Sequence, residues 1–475
     1  MTNTPSLLRG QEITVDIERP GADGEGIGCL EGRAVRVPDT VPGDRVRARV
    51  LRPGRDPILT ALLAIEAPSP SRVGPACGHF GECGGCAWQD IAYPAQLPLK
   101  EAVLRANLPE VPAASIRPIL GMDAPWFYRN KMEFTFGTGD GGRETGGSCP
   151  GVSFPILGLH RRGRYWDVVD IHDCRLMSPL ANEIVAAVRD RARAHAWVPY
   201  HKRTHAGEAR FLALREGKRT GEWLVNLVSR SDALPGVEAL ARALAAGFPA
   251  IAAFYWTISP EKGDAIKAHR ETLVLGKPRI RDILDGIEFL IGPGTFFQTN
   301  TAQAERLCQV IADLRQAAGH APAPVVLDLY CGVGTFALST ARRCPSARVF
   351  GVELVPESVA AAQENARRNG IANAEFLAGD VGKRLPEAVQ AAGRPDLVIV
   401  DPPRAGLAPR VASDLAALAP AQILYVSCNP AALGRDSALL TAQGYSVAAV
   451  QPVDMFPHTR HIEAVMSLVR KAAAP

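Results

Sequence analysis

From residue 324 onward, short apolar runs alternate with alanine-rich stretches, and this regularity constrains the fold more than any other feature of the chain. The runs are VVLDLY, RVFGVEL, AEFLAG, DLVIVD, ILYVS, YSVAAV and EAVMSLV. Parallel strands that are buried on both faces read as continuous apolar runs, and the helices that connect them cover the sheet. The pattern therefore predicts a Rossmann-like, doubly wound α/β domain with a mostly parallel sheet.

The N-terminal segment has a different pattern, in which strand-like runs are separated by glycine and proline turns. These runs are EITVDIE, GRAVRV, DRVRARVL and ILTALLAI. Several short strands at this spacing predict a small antiparallel barrel of the OB type, an architecture that often holds nucleic acid. In DRVRARV, charged residues alternate with apolar ones, so that Arg45, Arg47 and Arg49 would share one exposed face.

A chain of 475 residues is too long for one ordinary domain, and its composition changes along its length. The linker EAPSPSRVGP at 66–75 follows the barrel, and a central region of mixed strands and helices precedes the α/β pattern. We therefore predict a barrel at 1–66, a central mixed α+β domain at 67–290 and the doubly wound domain at 291–475.

Composition narrows the possible functional classes. No apolar run reaches the length needed to span a membrane, and the N-terminus lacks the basic-then-apolar pattern of a secretory signal. We therefore expect a cytoplasmic protein without membrane attachment, in which clustered cysteines are metal ligands or catalysts rather than disulfides. The net charge of +4 is too small to indicate a nucleic-acid partner.

One segment of the chain is strongly basic. Residues 187–220 hold nine Lys and Arg residues against three acids, with histidines among them. A segment of this kind can neutralise the phosphates of a nucleic acid. The same composition is equally compatible with a solvated helix face followed by a loop, so both interpretations stay open.

The turn after the first strand of the α/β pattern predicts a nucleoside cofactor. Gly332 and Gly334 open a helix directly after that strand and match the dinucleotide fingerprint, which fits NAD and S-adenosylmethionine equally well. Glu353 ends the second strand, where a carboxylate accepts hydrogen bonds from ribose hydroxyls, and Asp380 ends the third strand, near an adenine. The glycines alone leave both cofactors open.

Two further motifs favour a methyl donor and indicate the chemistry. DPPR at 401–404 ends the fourth strand, and ILYVSCNP places Cys428 at the carboxyl end of the next strand. Enzymes that methylate exocyclic amines usually have an aromatic residue after the two prolines, where this chain has Arg404. A cysteine after an apolar run is more often a core residue. Because the glycine turn and DPPR occur in the same domain, however, Cys428 is interpreted as a nucleophile.

Methylation of uracil at carbon 5 needs a nucleophile and a base. A thiolate that adds to carbon 6 makes carbon 5 an enolate carbon, which can take a methyl group, and a base must then remove the carbon 5 proton. Glu463, at the head of an apolar strand, is the candidate base, because an apolar pocket raises the pKa of a glutamate. His458 and His461 are second candidates, and a strand-edge charge that aids solubility is the alternative interpretation of Glu463.

These motifs resemble those of the RNA 5-methyluridine methyltransferases, specifically the branch that methylates uracil in 23S ribosomal RNA. The resemblance covers essentially the whole chain and includes a TRAM-like barrel, FYRNKMEF at 127–134 and FFQTN at 296–300. It implies that the central domain at 67–290, which contains a cysteine-rich loop, binds RNA. It implies that Cys428 is the nucleophile, that Glu463 is the base and that Phe296 stacks on an extruded uracil. It also implies an S-adenosylmethionine site formed by Gln298, Tyr330, Thr335, Glu353, Asp380 and Asp401.

A glycine-rich loop, CGHFGECGGC, supplies three clustered cysteines, Cys77, Cys83 and Cys86. Thiolates suit an iron–sulfur cluster or zinc, and three of them need a fourth ligand. The family resemblance adds Cys174 and implies a 4Fe-4S cluster, whereas a zinc site that includes His79 stays open as an alternative. The other cysteines are interpreted as structural or incidental: Cys29, Cys149, Cys308, Cys331 and Cys344.

Together these features predict an S-adenosylmethionine-dependent enzyme that flips a uridine out of folded RNA and methylates its carbon 5, and we expect a monomer. Extrusion is needed because stacking covers both faces of a base, and thiolate attack and methyl delivery come from opposite faces. The resemblance implies 23S ribosomal RNA as the substrate. Alternatives are a uridine in the T-loop of transfer RNA, a non-catalytic iron–sulfur sensor that binds RNA, and a nicotinamide oxidoreductase.

Overall fold

The N-terminal segment forms a closed five-stranded barrel in the computed structural model, which describes residues 7–140, 153–319 and 324–471. Its strands are β1 (Glu12–Pro20), β2 (Gly26–Leu30), β3 (Arg33–Val37), β4 (Arg45–Arg52) and β5 (Ile58–Ala67). Alternate residues of β1 and β4 point inward, so that Ile13, Val15, Val46 and Val50 form part of the barrel core. The predicted OB-like barrel is confirmed.

Strand β2 was absent from the sequence-based prediction, because its sequence GIGCL contains two glycines. Both glycines lie where the barrel wall is tight. A Cβ on Gly28 would stand 2.2 Å from the carbonyl oxygen of Asp16 in β1, and one on Gly26 would stand 2.1 Å from the hydroxyl of Thr40. Glycine inside a strand commonly marks such a close approach.

The arginines of β4 share the outer face of the barrel, as their alternation predicts. They are paired cations, however, because the neighbouring strand β1 carries carboxylates beside them. Arg45 pairs with Asp16 at 3.2 Å, and Arg47 and Arg49 both pair with Glu12, at 3.0 and 3.4 Å. This face of the barrel is therefore close to electrically neutral.

The central domain is built on a seven-stranded, mostly antiparallel sheet. Its strands are β6 (Lys131–Asp140), β7 (Ser153–Arg161), β8 (Arg164–Asp170), β9 (Ala209–Glu216), β10 (Trp223–Ser229), β11 (Ile251–Ile258) and β12 (Arg270–Gly276). The helices of this region are α1 (Tyr93–Asn107), α2 (Pro179–Ala194) and α3 (Val237–Gly247). The strand order is β12-β11-β10-β9-β6-β7-β8, so that β8 and β12 are its two edges. Helices α2 and α3 pack on this sheet over a core that includes Phe134, Leu212 and Val225.

The basic segment defined above is mostly engaged within the fold. Arg189 and Arg193 both pair with Asp170, at 2.8 and 3.1 Å. Arg215 is buried and donates to the carbonyl oxygen of Pro293 at 2.9 Å. Further ion pairs of the segment are Lys202–Asp264, Lys218–Glu216 and Arg219–Glu305. Most of the segment is therefore engaged within the fold, whereas Arg191 and Arg203 have no ion-pair partner among the described residues.

Helix α1 is fixed to the C-terminal domain through a buried ion pair. The ammonium of Lys100 lies 2.5 Å from a carboxylate oxygen of Asp454, and both side chains are fully buried. Tyr93 donates a hydrogen bond to the other oxygen of Asp454 at 2.9 Å, and Lys100 also donates to the carbonyl oxygen of Phe456 at 2.9 Å. The segment that leads to Glu463 is thereby held in place by α1.

Replacing Lys100 with alanine should destabilise the protein by about 3–5 kcal/mol, because the buried carboxylate of Asp454 would lose its cation. Urea denaturation followed by circular dichroism measures this loss. The matched control is Lys383→Ala, which removes an exposed lysine and should change the free energy of unfolding by no more than about 0.5 kcal/mol. Equal stability of the two variants would show that the buried pair does not hold α1 in place.

The C-terminal domain has the predicted doubly wound α/β fold. An antiparallel hairpin precedes it, formed by β13 (Ile280–Leu284) and β14 (Ile287–Ile291). The strands of its sheet are β15 (Val325–Leu329), β16 (Arg348–Glu353), β17 (Ala374–Ala378), β18 (Leu397–Val400), β19 (Gln422–Ser427), β20 (Tyr445–Val453) and β21 (Glu463–Arg470). Its helices are α4 (Thr301–Ala317), α5 (Thr335–Arg343), α6 (Pro356–Arg368), α7 (Val381–Ala392), α8 (Pro409–Leu418) and α9 (Pro430–Ala442).

The order of strands in this sheet is β17-β16-β15-β18-β19-β21-β20. Strands β15 to β19 are parallel, and the order reverses at β15, which lies between β16 and β18. Ligands of such sheets bind outside the carboxyl ends of the strands at this reversal. Among the helices of the described part of the chain, none is long and apolar enough to cross a membrane.

Candidate active site

Two neighbouring strands bring Cys428 and Glu463 together. Cys428 follows the last residue of β19, and Glu463 is the first residue of β21, which runs antiparallel to β19. Ser427 pairs with Ala464, so the next step of the register sets Cys428 opposite Glu463. Because β21 runs in reverse, its first residue lies at the same sheet edge as the carboxyl ends of the parallel strands.

The environment of Cys428 favours the neutral thiol in the absence of ligands. Partial burial raises the pKa of Cys428 to about 11, and the negative charges of Glu463 and Asp401 add to this shift. The guanidinium of Arg404 acts in the opposite direction and favours the thiolate. Arg404 is therefore the cation of this site that can support a thiolate nucleophile.

Glu463 is buried at the bottom of the site, with 4% of its surface exposed. Burial raises its pKa well above the ordinary value of a glutamate, and the neighbouring Asp401 raises it further, whereas Arg404 lowers it. A carboxylate with a raised pKa is a stronger proton acceptor once it is ionised. This environment matches the role of base that the sequence predicts for Glu463.

The two alternative bases have other partners. His458 is buried, its ring stacks on Trp126 with 3.7 Å between ring centroids, and its Nδ1 lies 3.1 Å from the amide nitrogen of Gln96. His461 lies beside Cys428, but its Nδ1 accepts a hydrogen bond from Arg404 at 3.1 Å. These contacts give both histidines structural roles, and they leave Glu463 as the better candidate.

The glycine turn after β15 and the end of β16 form one side of the predicted cofactor pocket. The carboxylate of Glu353 accepts hydrogen bonds from the backbone N–H of Gly332 at 3.1 Å and of Val355 at 2.9 Å. Tyr330 has a positive φ of 67°, which turns the chain into the glycine loop, and Thr335 is buried at the start of α5. Glu353 is therefore oriented by the loop itself.

Asp380 has a structural role in addition to the predicted one. It is the N-cap of α7, and its side chain accepts a hydrogen bond from the backbone N–H of Lys383 at 3.2 Å. Capping of this kind satisfies an unpaired N–H of the first helical turn. Asp380 nevertheless remains exposed at the carboxyl end of β17, beside Glu353, as the sequence pattern predicts.

A buried carboxyl that was not among the predicted site residues lies under this pocket. Asp328, at the end of β15, is fully buried, and both of its carboxyl oxygens lack a hydrogen-bond partner among the described residues. Burial and the neighbouring Asp401 raise its pKa well above the ordinary value, and burial raises the pKa of Asp401 to about 7. A cation would satisfy this group of carboxyls.

The carboxyls of the pocket help to distinguish S-adenosylmethionine from a nicotinamide dinucleotide as the cofactor. S-adenosylmethionine carries a sulfonium and an ammonium, which the neighbouring carboxyls of Asp328 and Asp401 would stabilise, while Glu353 would accept hydrogen bonds from the ribose. The pyrophosphate of a nicotinamide dinucleotide would instead be repelled by these carboxyls. The residues therefore fit S-adenosylmethionine. An aspartate at the end of an apolar strand was visible in the sequence, but its lack of a partner becomes evident only in the structure.

The segment FFQTN contacts two parts of the predicted cofactor pocket. The amide of Gln298 donates to the carboxylate of Asp401 at 3.4 Å, and Phe296 is 61% exposed beside Gly332. Asn130, in the central domain, holds this segment by donating from its backbone to Thr299 at 2.9 Å and from its side chain to Gln298 at 2.8 Å. The two motifs FYRNKMEF and FFQTN are thus joined by hydrogen bonds from Asn130.

Cys428 opens into a cleft of about 450 Å³ whose walls come from all three parts of the molecule. The barrel contributes Asp23 and Asp39, the cysteine-rich loop contributes Gly84 and Gly85, and α1 contributes Asn107. The C-terminal domain contributes Cys428 with its neighbours Arg404, Asn429 and His461. A base that reaches the thiol therefore enters between the three domains. We refer to this space as the catalytic cleft.

The four predicted cluster ligands line a second, small cavity with a volume of about 20 Å³. This cavity is lined by Cys77, His79, Cys83, Cys86 and Cys174. Within the described ranges, no three His, Cys, Asp or Glu side chains are arranged to hold a metal ion. Of the other cysteines, Cys29 is exposed, those at 308, 331 and 344 are buried, and Cys149 lies outside the described residues.

The fold and the site define the class of the protein: a nucleoside-binding α/β domain with a cysteine nucleophile candidate and a pocket for a cationic methyl donor, joined to an OB-like barrel. Comparisons with known proteins agree. A model of the tRNA (uracil-5-)-methyltransferase family matches residues 285–471, and a TRAM domain model matches residues 7–52.

Relatives match over nearly the whole chain. An uncharacterized RNA methyltransferase of Gloeobacter violaceus is 36% identical and covers 98% of each chain, and one of Caldanaerobacter subterraneus is 35% identical and covers 97% of this chain and 99% of its own. The Pyrococcus abyssi tRNA (uracil-54, C5)-methyltransferase, solved with S-adenosyl-L-homocysteine, aligns with a TM-score of 0.72 at 28% identity, over 96% of this chain and all of its own.

The chain belongs to the family of RNA uracil-5 methyltransferases, which use S-adenosylmethionine. The predicted enzyme class, cofactor and TRAM domain are therefore confirmed. The nicotinamide oxidoreductase and the non-catalytic sensor lose their support, since the family and the carboxyl-lined pocket both favour methyl transfer. The roles of individual site residues, the identity of the RNA and the iron–sulfur cluster stay predictions.

Proposed function

We propose that this protein methylates carbon 5 of a specific uridine in 23S ribosomal RNA, with Cys428 as the nucleophile and Glu463 as the base. The observation that carries this proposal is the placement of both side chains at facing strand ends, directly beside a carboxyl-lined pocket. A protein that only binds RNA needs no thiol and carboxyl at such a place. We also propose that it acts as a cytoplasmic monomer.

The two side chains at the facing strand ends would carry out the proposed chemistry. The thiolate of Cys428 adds to carbon 6 of the uracil, and the electron pair of the ring double bond moves towards carbon 5. When bound, S-adenosylmethionine supplies the methyl group that carbon 5 takes. The carboxylate of Glu463 then removes the proton from carbon 5, and the thiolate leaves carbon 6, which restores the double bond.

The exposed aromatic ring of Phe296 would receive the extruded base. Phe296 lies beside the glycine loop of the cofactor pocket, and most of its surface is exposed to solvent. Aromatic side chains commonly stack on bases that have been splayed out of a helix or loop. Gln298, which donates to Asp401 at 3.4 Å, would position that carboxylate towards the methyl donor.

Arg404→Gln should lower kcat/KM at pH 7.5 by about three- to tenfold, because Arg404 lowers the pKa of Cys428. Since only the thiolate attacks, the rate rises with pH below the thiol pKa, and the variant's profile should move to higher pH. Steady-state methylation of RNA from pH 6.5 to 9.5 measures the shift. Arg404→Lys, which keeps a cation, should have a kcat/KM and a pH profile close to those of the wild type. An unchanged profile for Arg404→Gln would contradict the assigned role.

We further propose that Cys77, Cys83, Cys86 and Cys174 bind a 4Fe-4S cluster. The donors around the cavity support this: the amide of Gln89 donates to the sulfur of Cys86 at 3.1 Å, and the backbone N–H of Gly85 donates to that of Cys83 at 3.3 Å. Such hydrogen bonds stabilise cluster thiolates. The cluster would tie the loop to the central sheet, since methyl transfer itself consumes no electrons.

Cys174→Ser should remove most of the iron and acid-labile sulfide from protein purified without oxygen, because a cluster without one ligand is readily lost. Elemental analysis and visible absorbance measure both. The control is Cys29→Ser, an exposed cysteine far from the cavity in sequence. Zinc in place of iron, or full iron content in the Cys174 variant, would contradict the proposed cluster.

Transfer RNA is a second candidate substrate, favoured by the full-length match to the Pyrococcus abyssi enzyme, whose substrate is uracil-54 of transfer RNA. Mass spectrometry of nucleosides from ribosomal and transfer RNA, in cells with and without the gene, separates the two. Loss of one 5-methyluridine from the large ribosomal RNA supports the proposal. Loss from transfer RNA alone would mean that the substrate is transfer RNA rather than ribosomal RNA. No loss of 5-methyluridine from either pool would overturn the proposed function.

A further inference from the structure

A second groove, of about 700 Å³, lies next to the catalytic cleft and shares part of its wall. The shared residues are Gly84, Gly85 and Arg162, which line both spaces. Gly84 lies close to the neighbouring hairpin, since a Cβ there would stand 3.0 Å from the carbonyl oxygen of His160. The two spaces are therefore adjacent, and Arg162, which pairs with Asp39 of the barrel at 3.3 Å, lies at their boundary.

The charged lining of the groove is mostly basic. Its lining contains five basic side chains and one carboxylate: Arg129, Lys131, Glu133, Arg161, Arg162 and Arg164. Arg164 is exposed and has no ion-pair partner among the described residues, and the Nε of Arg129 is buried without a hydrogen-bond partner there. Lys131 and Glu133 neutralise each other at 2.7 Å. Arg161 pairs with Glu82 and Asp167, and Arg162 pairs with Asp39, so the positive charge that favours an anionic ligand is carried by Arg164 and Arg129.

Two large aromatic residues stand exposed at the end of this groove, on the edge strand β8. Tyr165, which lines the groove, is 65% exposed, and the neighbouring Trp166 is 48% exposed, with 5.1 Å between their ring centroids. The ammonium of Lys202 lies 5.4 Å from the ring centre of Tyr165, and the guanidinium of Arg203 lies 5.4 Å from that of Trp166. Aromatic rings interleaved with cations are typical of surfaces that bind single-stranded nucleic acid.

We propose that this groove binds the single strand next to the target uridine, with an unpaired base stacked on Tyr165 and a backbone phosphate on Arg164. Trp166 packs edge-on against Tyr165, with 83° between the ring planes, and holds that ring in place. The inference rests on the proposed function, because it assumes that RNA fills the catalytic cleft. Single-stranded RNA fits better than a duplex, since only unstacked bases offer a free face to the ring of Tyr165. It also fits better than an acidic protein, which would leave that ring unused.

The test compares two labelled oligonucleotides, one of four uridines and one of twelve, by fluorescence anisotropy. Only the longer one extends from the cleft into the groove. The double variant Tyr165→Ala and Trp166→Ala should bind the twelve-mer about tenfold more weakly and the four-mer unchanged. Replacing both residues with phenylalanine should restore binding, because the rings remain. Circular dichroism confirms that the variants are folded.

Charge is tested separately with Arg164→Gln, which should weaken binding of the twelve-mer and reduce the slope of log affinity against log salt by about one. The matched control is Arg270→Gln, which lies on β12, the opposite edge of the same sheet, and should have no effect. Unchanged twelve-mer affinity in the aromatic double variant overturns the proposal. Displacement of the twelve-mer from the wild type by poly-glutamate at equal charge would indicate an acidic protein partner and also overturns it.

Failure of this inference and failure of the proposed function give different results. If the protein methylates no uridine yet shows the length-dependent loss of affinity, the groove binds RNA and the chemistry is wrong. If methylation at saturating RNA is normal and the aromatic variants bind both oligonucleotides like the wild type, the chemistry stands and the groove has no role in binding. Neither variant touches Cys428, Glu463 or the cofactor pocket.

Discussion

Cys428→Ala should abolish uridine methylation, with a loss of turnover on the order of 10⁴-fold or more, while binding of S-adenosylhomocysteine stays unchanged. Without the thiolate, carbon 5 of the uracil is too weak a nucleophile to take a methyl group, and no other described side chain at the facing strand ends offers a sulfur. Transfer of tritiated methyl groups to RNA measures turnover, and isothermal titration calorimetry measures cofactor binding.

The control for this variant is Cys308→Ala, because Cys308 is buried in α4 of the same domain and has no proposed role in the reaction. It should retain methylation within a few-fold of the wild type. Full activity in Cys428→Ala would remove the proposed covalent mechanism altogether. Loss of cofactor binding together with activity would instead show that Cys428 supports the pocket rather than the reaction.

Glu463→Gln should accumulate protein that is covalently linked to RNA. The amide cannot remove the proton from carbon 5, so the methylated adduct would persist and turnover would fall by about 10²- to 10⁴-fold. A band of reduced mobility in denaturing gels, sensitive to ribonuclease, reports the adduct. Because the amide is close in size to the carboxylic acid and Glu463 is buried, the variant keeps the packing of β21.

The double variant Cys428→Ala and Glu463→Gln is the control, since it has no thiol to form the bond and should give no such band. If Glu463→Gln alone gives no adduct but remains slow, the base lies elsewhere. His461→Asn and His458→Asn then decide between the remaining candidates, of which His461 lies in the catalytic cleft.

The sequence predicted the doubly wound domain because its strands are buried on both faces and therefore carry an unambiguous apolar signal. It did not predict β2, whose glycines satisfy a steric demand of the barrel wall rather than a strand propensity. Asp328 was not predicted to be a site residue, for a related reason. Its position in the sequence resembles that of any strand-end aspartate, and only three-dimensional packing shows that it is buried without a partner.

Charge was the least predictable property. The basic segment at 187–220 looked like a phosphate-binding surface, yet its arginines pair with carboxylates such as Asp170 that are distant in the sequence. The groove draws three of its arginines from one short basic run, HRRGR at 160–164 in the β7–β8 hairpin, which was not among the predicted RNA-binding segments, and its other basic side chains are Arg129 and Lys131. Local charge density is therefore a weak guide to a free cationic surface, because ion pairing depends on contacts across the fold.

The walls of the catalytic cleft have a consequence for recognition. Because barrel, cysteine-rich loop and C-terminal domain each supply one wall, the thiol is enclosed only by their joint arrangement. If RNA fills the catalytic cleft as proposed, the nucleotides around the target uridine would contact three surfaces at once. The spacing of the domains would then contribute to the choice of uridine, independently of the residues that carry out the reaction.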